Sequence, residues 1–222
     1  MGSAIGQLLS AAVGVAISPL PMIALVVMLA TPHGRANGIA FVTSWMATLT
    51  TVGVIMLVIG RGAHAGGKAA TWTLWLTLAL GVLFALLAVK QWRDRPRPGE
   101  AAELPAWMAK VDKFSPGRCA GLAAALSGAN PANLALTVGA ITAVDGAVSR
   151  VGVKAVALAV FVVVASVSVL VPLGLSLFGG SEGEVTLDSW KTWLSRHNSA
   201  IVIGLLVVMS AKFIIEAIVD LT

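Results

Sequence analysis

Charge is scarce in this sequence. Of its 222 residues 11% are charged, where a soluble domain has about a quarter. Tyrosine is absent and cysteine occurs once, as Cys119. One cysteine excludes an internal disulfide and any cysteine-rich metal site, and leaves Cys119 to pack as a small apolar residue. The three histidines, His33, His64 and His197, fall in separate loops, so no histidine ligand set is expected and no metal is implied. No phosphate-binding P-loop occurs, so any energy input has to come from a gradient or a partner. Ser127, in the stretch SGAN, has no plausible general base on a neighbouring helix. No enzyme activity and no cofactor are therefore expected.

What fills the sequence is apolar: 58% of residues are hydrophobic and the mean hydropathy is +0.92. Six apolar segments stand out, at 4–30, 37–60, 71–91, 118–143, 151–178 and 199–219. Each is long enough as a helix to cross a hydrocarbon core of ~30 Å, which predicts an all-α integral membrane protein with six transmembrane helices. The first segment has no basic residue before it and no small-residue cleavage pattern after it, so it reads as a retained helix rather than a signal peptide. The start Met1-Gly2-Ser3 resembles a myristoylation signal only superficially.

The net charge of +5 lies almost wholly in the loops and reports on topology rather than on nucleic acid. Lys90, Arg93, Arg95, Arg97, Lys110, Lys113 and Arg118 cluster around a central linker, and Arg35, Lys191 and Arg196 share its side. Arg61, Lys68, Arg150, Lys154 and Lys212 fall on the other side. Ten against five places the basic linker in the cytoplasm and both termini outside. Trp190 and Trp193 before the last segment suit the lipid–water boundary.

The two halves repeat. Pro21 matches Pro131, HGRANG matches VDGAVSR, and Gly81 with Lys90 matches Gly204 with Lys212. This divides the chain into a first three-helix repeat (1–92), the linker (93–117) and a second three-helix repeat (118–222). An odd number of helices per copy inverts the second copy relative to the first, an arrangement typical of transporters with their site at the repeat interface. Helices one and four each carry a proline break. Ser18 before Pro19, and Asn130 before Pro131, read as an N-cap followed by the first helical position. Each break can start a half-helix inside the membrane, whose free N–H groups and positive dipole end suit an anion. Ser18, Pro19, Pro21, Ser127, Asn130, Pro131 and Asn133 are therefore the candidate substrate-binding residues.

Ionisable groups are sparse within the segments. His33 and Arg35 at one mouth, and Asp145 at the other, are candidate gate residues, although each also reads as a solvated turn residue. Asp145 is within reach of Arg150. Lys212 lies inside the last apolar run, either snorkelling with Glu216 one turn on or contacting a headgroup. Pro172 is expected to kink the end of helix five and has no counterpart in helix two.

The stretches ISPLPMIALVVMLATPHGRANGIAF and SGANPANLALTVGAIT, with the basic linker between them, resemble the actinobacterial GAP/Sap family. These are the peptidoglycolipid- and sulfolipid-addressing proteins, placed in the lysine-exporter superfamily. The resemblance implies an inner-membrane protein that assists export of glycolipids or other anionic envelope lipids, with membrane lipids and a larger lipid exporter as partners. It implies no catalytic residue. Thiol–disulfide carriers of that superfamily need paired cysteines and its metal exporters need buried carboxylates, and both are lacking here. Export of amino acids or similar small polar solutes stays open. So does a non-transporting scaffold docked through the linker and its Pro96, Pro98 and Pro105. Because small membrane transporters often pair, a homodimer is the expected assembly.

Overall fold

The computed structural model describes residues 2–63, 71–93 and 114–221, and among them there are helices and no strand. The helices are α1 (Gly2–Ala16), α2 (Pro19–Leu29), α3 (Gly34–Ala63), α4 (Thr71–Arg93), α5 (Pro116–Ala124), α6 (Pro131–Ala147), α7 (Val151–Ala165), α8 (Val167–Phe178) and α9 (Gly180–Leu221), with a π-helical turn at Ala125–Ala129 between α5 and α6. Each apolar segment of the sequence falls on one of these helices or on a consecutive pair. Most of the linker, residues 94–113, lies outside the described residues.

Both expected breaks have the same cause. A proline disfavours the α conformation in the residue before it and cannot donate to the preceding turn. Ser18 accordingly takes φ −58°, ψ 116°, and Asn130 takes φ −75°, ψ 117°. A third break lies elsewhere than expected. Pro172 sits inside α8 without interrupting it; the chain bends instead at Ser166, where α7 and α8 meet at 60°. Proline rings clash with the turn behind them, but here that turn is the first of α8, already open at Ser166 and so able to accommodate the ring.

Over Gly34–Ile59, α3 is long and apolar enough to cross a membrane as one helix. Two bent pairs do so if each is taken as one span: α1 with α2, at 47°, and α7 with α8. The exterior matches a lipid solvent. Ile5, Leu9, Val13 and Ile17 form an exposed stripe along α1, and Val156, Val160, Val163, Val167 and Val171 carry another across the α7–α8 bend. Contiguous apolar surface of this extent marks contact with a membrane. The protein has an all-α membrane architecture.

The chain folds as two compact units, 1–65 with 104–193 and 66–103 with 194–222. In the first, α3 is the central element and packs on α5, α6, α7, α8 and α2, while α1 packs on α6 and α7, and α2 on α8. Lipid gives helices no hydrophobic reason to associate, so close approach and interhelical hydrogen bonds must hold them. Both are present. Ser44 Oγ donates to Ala120 O at 2.8 Å, and Asn37 Nδ2 to Phe114 O at 3.1 Å, tying α3 to α5 and its approach. Gly53 lets α3 lie against Leu158 of α7, and Gly14 lets α1 lie against Leu136 of α6. In the second unit Ser210 Oγ of α9 donates to Gly81 O of α4 at 2.9 Å.

The polar stretch before the last apolar segment, read as a loop at the lipid boundary, is helical and forms the start of α9. It contains no proline, and Gly180, at φ +52°, takes the left-handed conformation that reverses the chain after α8. Gly183 then passes so close to Leu175 O that a Cβ would stand 2.6 Å from it. That contact folds the first turns of α9 over the end of α8.

Candidate functional site

The two proline breaks are built differently. At the second, Asn130 Oδ1 accepts from Ala132 N at 3.0 Å, a true side-chain cap. Asn133 Nδ2 reaches back across the break to Leu126 O at 3.0 Å, a carbonyl of the π turn. Ser127 Oγ donates to Ala123 O at 2.8 Å, and Thr137 Oγ1 to Asn133 O at 2.7 Å. Ser127 and Asn133 are both buried, and each donates to a backbone carbonyl. At the first break Ser18 is also buried, but its side chain makes no capping bond.

Free backbone donors are few at these half-helix starts, contrary to what the sequence pattern suggests. Pro19 and Pro21 have no N–H, and Ser18 N is bonded to Val15 O at 3.2 Å. Leu20 is left as the one unspent donor of the first four positions of α2. In α6, Pro131 has none and the Ala132 N–H is taken by Asn130. An anion held by these helix ends alone would find little to bind.

The breaks nevertheless converge in depth. On α3, Gly38 faces Leu25 and Leu29 of α2 and Leu173 of α8, and Gly53 faces Leu158 of α7. Counted along α7, the step from Leu158 to Ser166 equals the step from Gly53 back to Trp45, and α8, inclined at 60° to α7, leads from Leu173 back to the same corner. Trp45 and Ser166 therefore share one level of the antiparallel packing. The same register against α2 brings Trp45 to within about one turn of the Ser18–Pro21 break. Against α5, Ser44 pairs with Ala120 and Gly128 abuts Thr48, so the π turn starts near that level too. Three interruptions thus lie near one level, about midway along the apolar span Gly34–Ile59 of α3.

Trp45 and Ser166 are fully buried, and Trp45 Nε1, Ser166 Oγ and the nearby Ser168 Oγ have no hydrogen-bond partner. A buried polar atom without a partner is costly and calls for a water or a ligand. Sequence reasoning missed these three residues. The available signal was the pair of serines inside the run VVVASVSVLV, which carries no proline to draw attention to it.

Three of the candidate gate residues have side chains among the described residues. His33 and Arg35 are exposed beside the turn between α2 and α3, in keeping with solvated turn residues. Asp145 is not solvated: it is 7% exposed and pairs with Lys154. Arg150 is the exposed N-cap of α7, whereas Lys154 lies one turn inside the helix. Lys212 lies within α9, and its side chain is outside the described residues. No group of three or more His, Cys, Asp or Glu able to hold a metal occurs among the described residues.

Comparisons with curated proteins and with solved structures found no match. A family model does match, over residues 8–219, a range that takes in both proline breaks, the α7–α8 bend and Trp45. The chain belongs to the family described as Sap, sulfolipid-1-addressing protein.

Proposed function

We propose that this protein is a membrane-embedded assistant in the export of envelope glycolipids, passing the polar headgroup through the buried layer at Trp45 and Ser166 while the acyl chains stay in the bilayer. The carrying observation is that layer: three helix interruptions and unpartnered polar atoms at one depth, inside a bundle with an apolar exterior. Membership of a sulfolipid-addressing family supports the choice of a lipid cargo. Ser18, Pro19, Pro21, Ser127, Asn130, Pro131 and Asn133 then frame the passage. Their bonds to backbone carbonyls favour a shaping role for Ser127 and Asn133 over direct contact.

The two-repeat reading is supported by reciprocal packing. α3 lies on α5 as α7 lies on α1, and α3 lies on α6 as α8 lies on α2, which is the relation that two inverted copies would give. Six spans, a cytoplasmic linker and termini outside complete the reading, together with a larger exporter as partner and no enzymatic step. A solute exporter would depend on a gradient, and titratable groups buried at mid-depth are the usual means of coupling to one. Asp145, paired with Lys154 at the end of α6, is poorly placed for that.

Deletion in the source organism tests the proposal. Surface-extractable glycolipid is expected to fall while the total cell pool holds or rises, with restoration by the intact chain. A deletion that leaves surface lipid unchanged but impairs amino-acid efflux would overturn it.

A further inference from the structure

A second site lies away from the mid-depth layer. A cavity of about 500 Å³ opens where α2 ends, α8 ends and α9 begins, lined by Leu29, Thr31, Pro32, Ser176, Leu187 and Asp188 among others. Its volume falls in the usual range for small-ligand sites, about 300–1,000 Å³. The glycine-rich reversal at 179–183 folds α9 over α8 and so brings Leu187 and Asp188 to the end of α2.

The polar part of this cavity is rich in acceptors. Asp188 contributes a carboxylate. Thr31 Oγ1 has already given its hydrogen to Met28 O, at 2.7 Å, so only its lone pairs are left. The cavity also receives the C-terminal, negative end of α2, which repels anions and favours donors. The remaining walls, Leu29, Pro32 and Leu187, are apolar. Acceptors facing an apolar wall suit a ring that carries hydroxyl groups on its edge and C–H groups on its face.

We infer that this cavity is a docking site for the sugar headgroup of a glycolipid, recognised through its hydroxyl groups and not through a sulfate or phosphate. The inference rests on the glycolipid reading given above and adds to it where, and by what chemistry, the headgroup is first held. Asp188 accepts hydrogen bonds from sugar hydroxyls, Ser176 donates or accepts beside it, and Leu187 with Pro32 covers the ring. An anionic substituent on the same headgroup points out of the cavity.

Native mass spectrometry of the full-length protein tests this, with diglucosyl diacylglycerol, phosphatidylethanolamine and phosphatidylglycerol offered together in mixed micelles. The variants are Asp188→Asn and Ser176→Trp, with thermal unfolding as the check on folding; Asp188 is exposed, so its substitution leaves the packing intact. The parent should retain the diglucosyl lipid above both phospholipids. Asp188→Asn should lower that retention about tenfold, the worth of a hydrogen bond to a charged group. Ser176→Trp should abolish it by filling the cavity, and phosphatidylglycerol retention should not change. Undiminished glycolipid retention by both folded variants would overturn the cavity assignment and leave the glycolipid reading standing. Selective loss of phosphatidylethanolamine would overturn it in favour of an ammonium site. A parent with no preference for the sugar lipid would overturn the glycolipid reading itself.

Discussion

Trp45 of α3 and Ser166 at the α7–α8 bend stand at the same level of the bundle, each fully buried and each with a polar atom that bonds to nothing. Trp45 is held in place by Phe41 one turn before it, the ring centroids 6.3 Å apart and the planes 12° from parallel. Its indole N–H thus contributes nothing to stability in this state. Trp45→Phe is expected to cost about 1–2 kcal/mol, from the space a smaller ring leaves at a fully buried site and not from a lost hydrogen bond. The same substitution should sharply reduce delivery of glycolipid to the surface. Thermal unfolding beside surface-lipid extraction separates the two effects; a fully active Trp45→Phe protein would remove the indole from the passage.

The two proline breaks should respond unequally to loss of their cap residues. Asn130→Ala removes a real cap and is expected to cost about 1 kcal/mol. Ser18→Ala removes a side chain that caps nothing and should cost less than about 0.5 kcal/mol. Asn133→Ala, which uncovers Leu126 O, should cost about 1–3 kcal/mol. Parallel unfolding curves in one detergent check the order.

Breaking the Asp145–Lys154 pair should be expensive, since the Asp145 carboxylate is buried and Lys154 supplies it with an ammonium partner. Asp145→Leu and Lys154→Met are each expected to destabilise by about 3–5 kcal/mol, with the double variant recovering most of the loss. A double-mutant cycle measures this directly, and additive losses would count against a coupled pair.

A β-branched side chain at Gly53 should be costly. A Cβ there meets Leu158, so Gly53→Val is expected to cost about 1–3 kcal/mol through overpacking. Leu158→Ala in the same chain should relieve part of that cost, which unfolding of the single and double variants would reveal.

The lie of the helices and both proline breaks were legible in the sequence because proline acts on its immediate neighbours. Ser18 and Asn130 adopt extended backbone wherever the rest of the chain goes. Relations between distant segments were not legible in this way. The bend at Ser166 has no proline or glycine at the break, and it is set by how α8 packs on α2 and α3. The pairing of Asp145 with Lys154 depended on which face of α7 meets the end of α6, which no sequence spacing gives. The cavity at Asp188 needed the reversal at Gly180, whose positive φ no spacing rule announces. Family membership was legible from the break motifs, whereas Trp45 and Ser166 acquire meaning only once α3 and α8 are set in register.

The α7–α8 bend also bears on bilayer thickness. At 1.5 Å per residue, α7 runs about 22 Å and α8 about 18 Å, or about 40 Å if straight. With α7 upright and α8 turned by 60°, the pair rises only about 31 Å, close to the ~30 Å of a hydrocarbon core. A straightened pair would be about 9 Å longer and would have to tilt or thicken the bilayer to fit. On that footing the bent pair is the better match to a bilayer of ordinary thickness, and a thicker bilayer would favour a straighter pair.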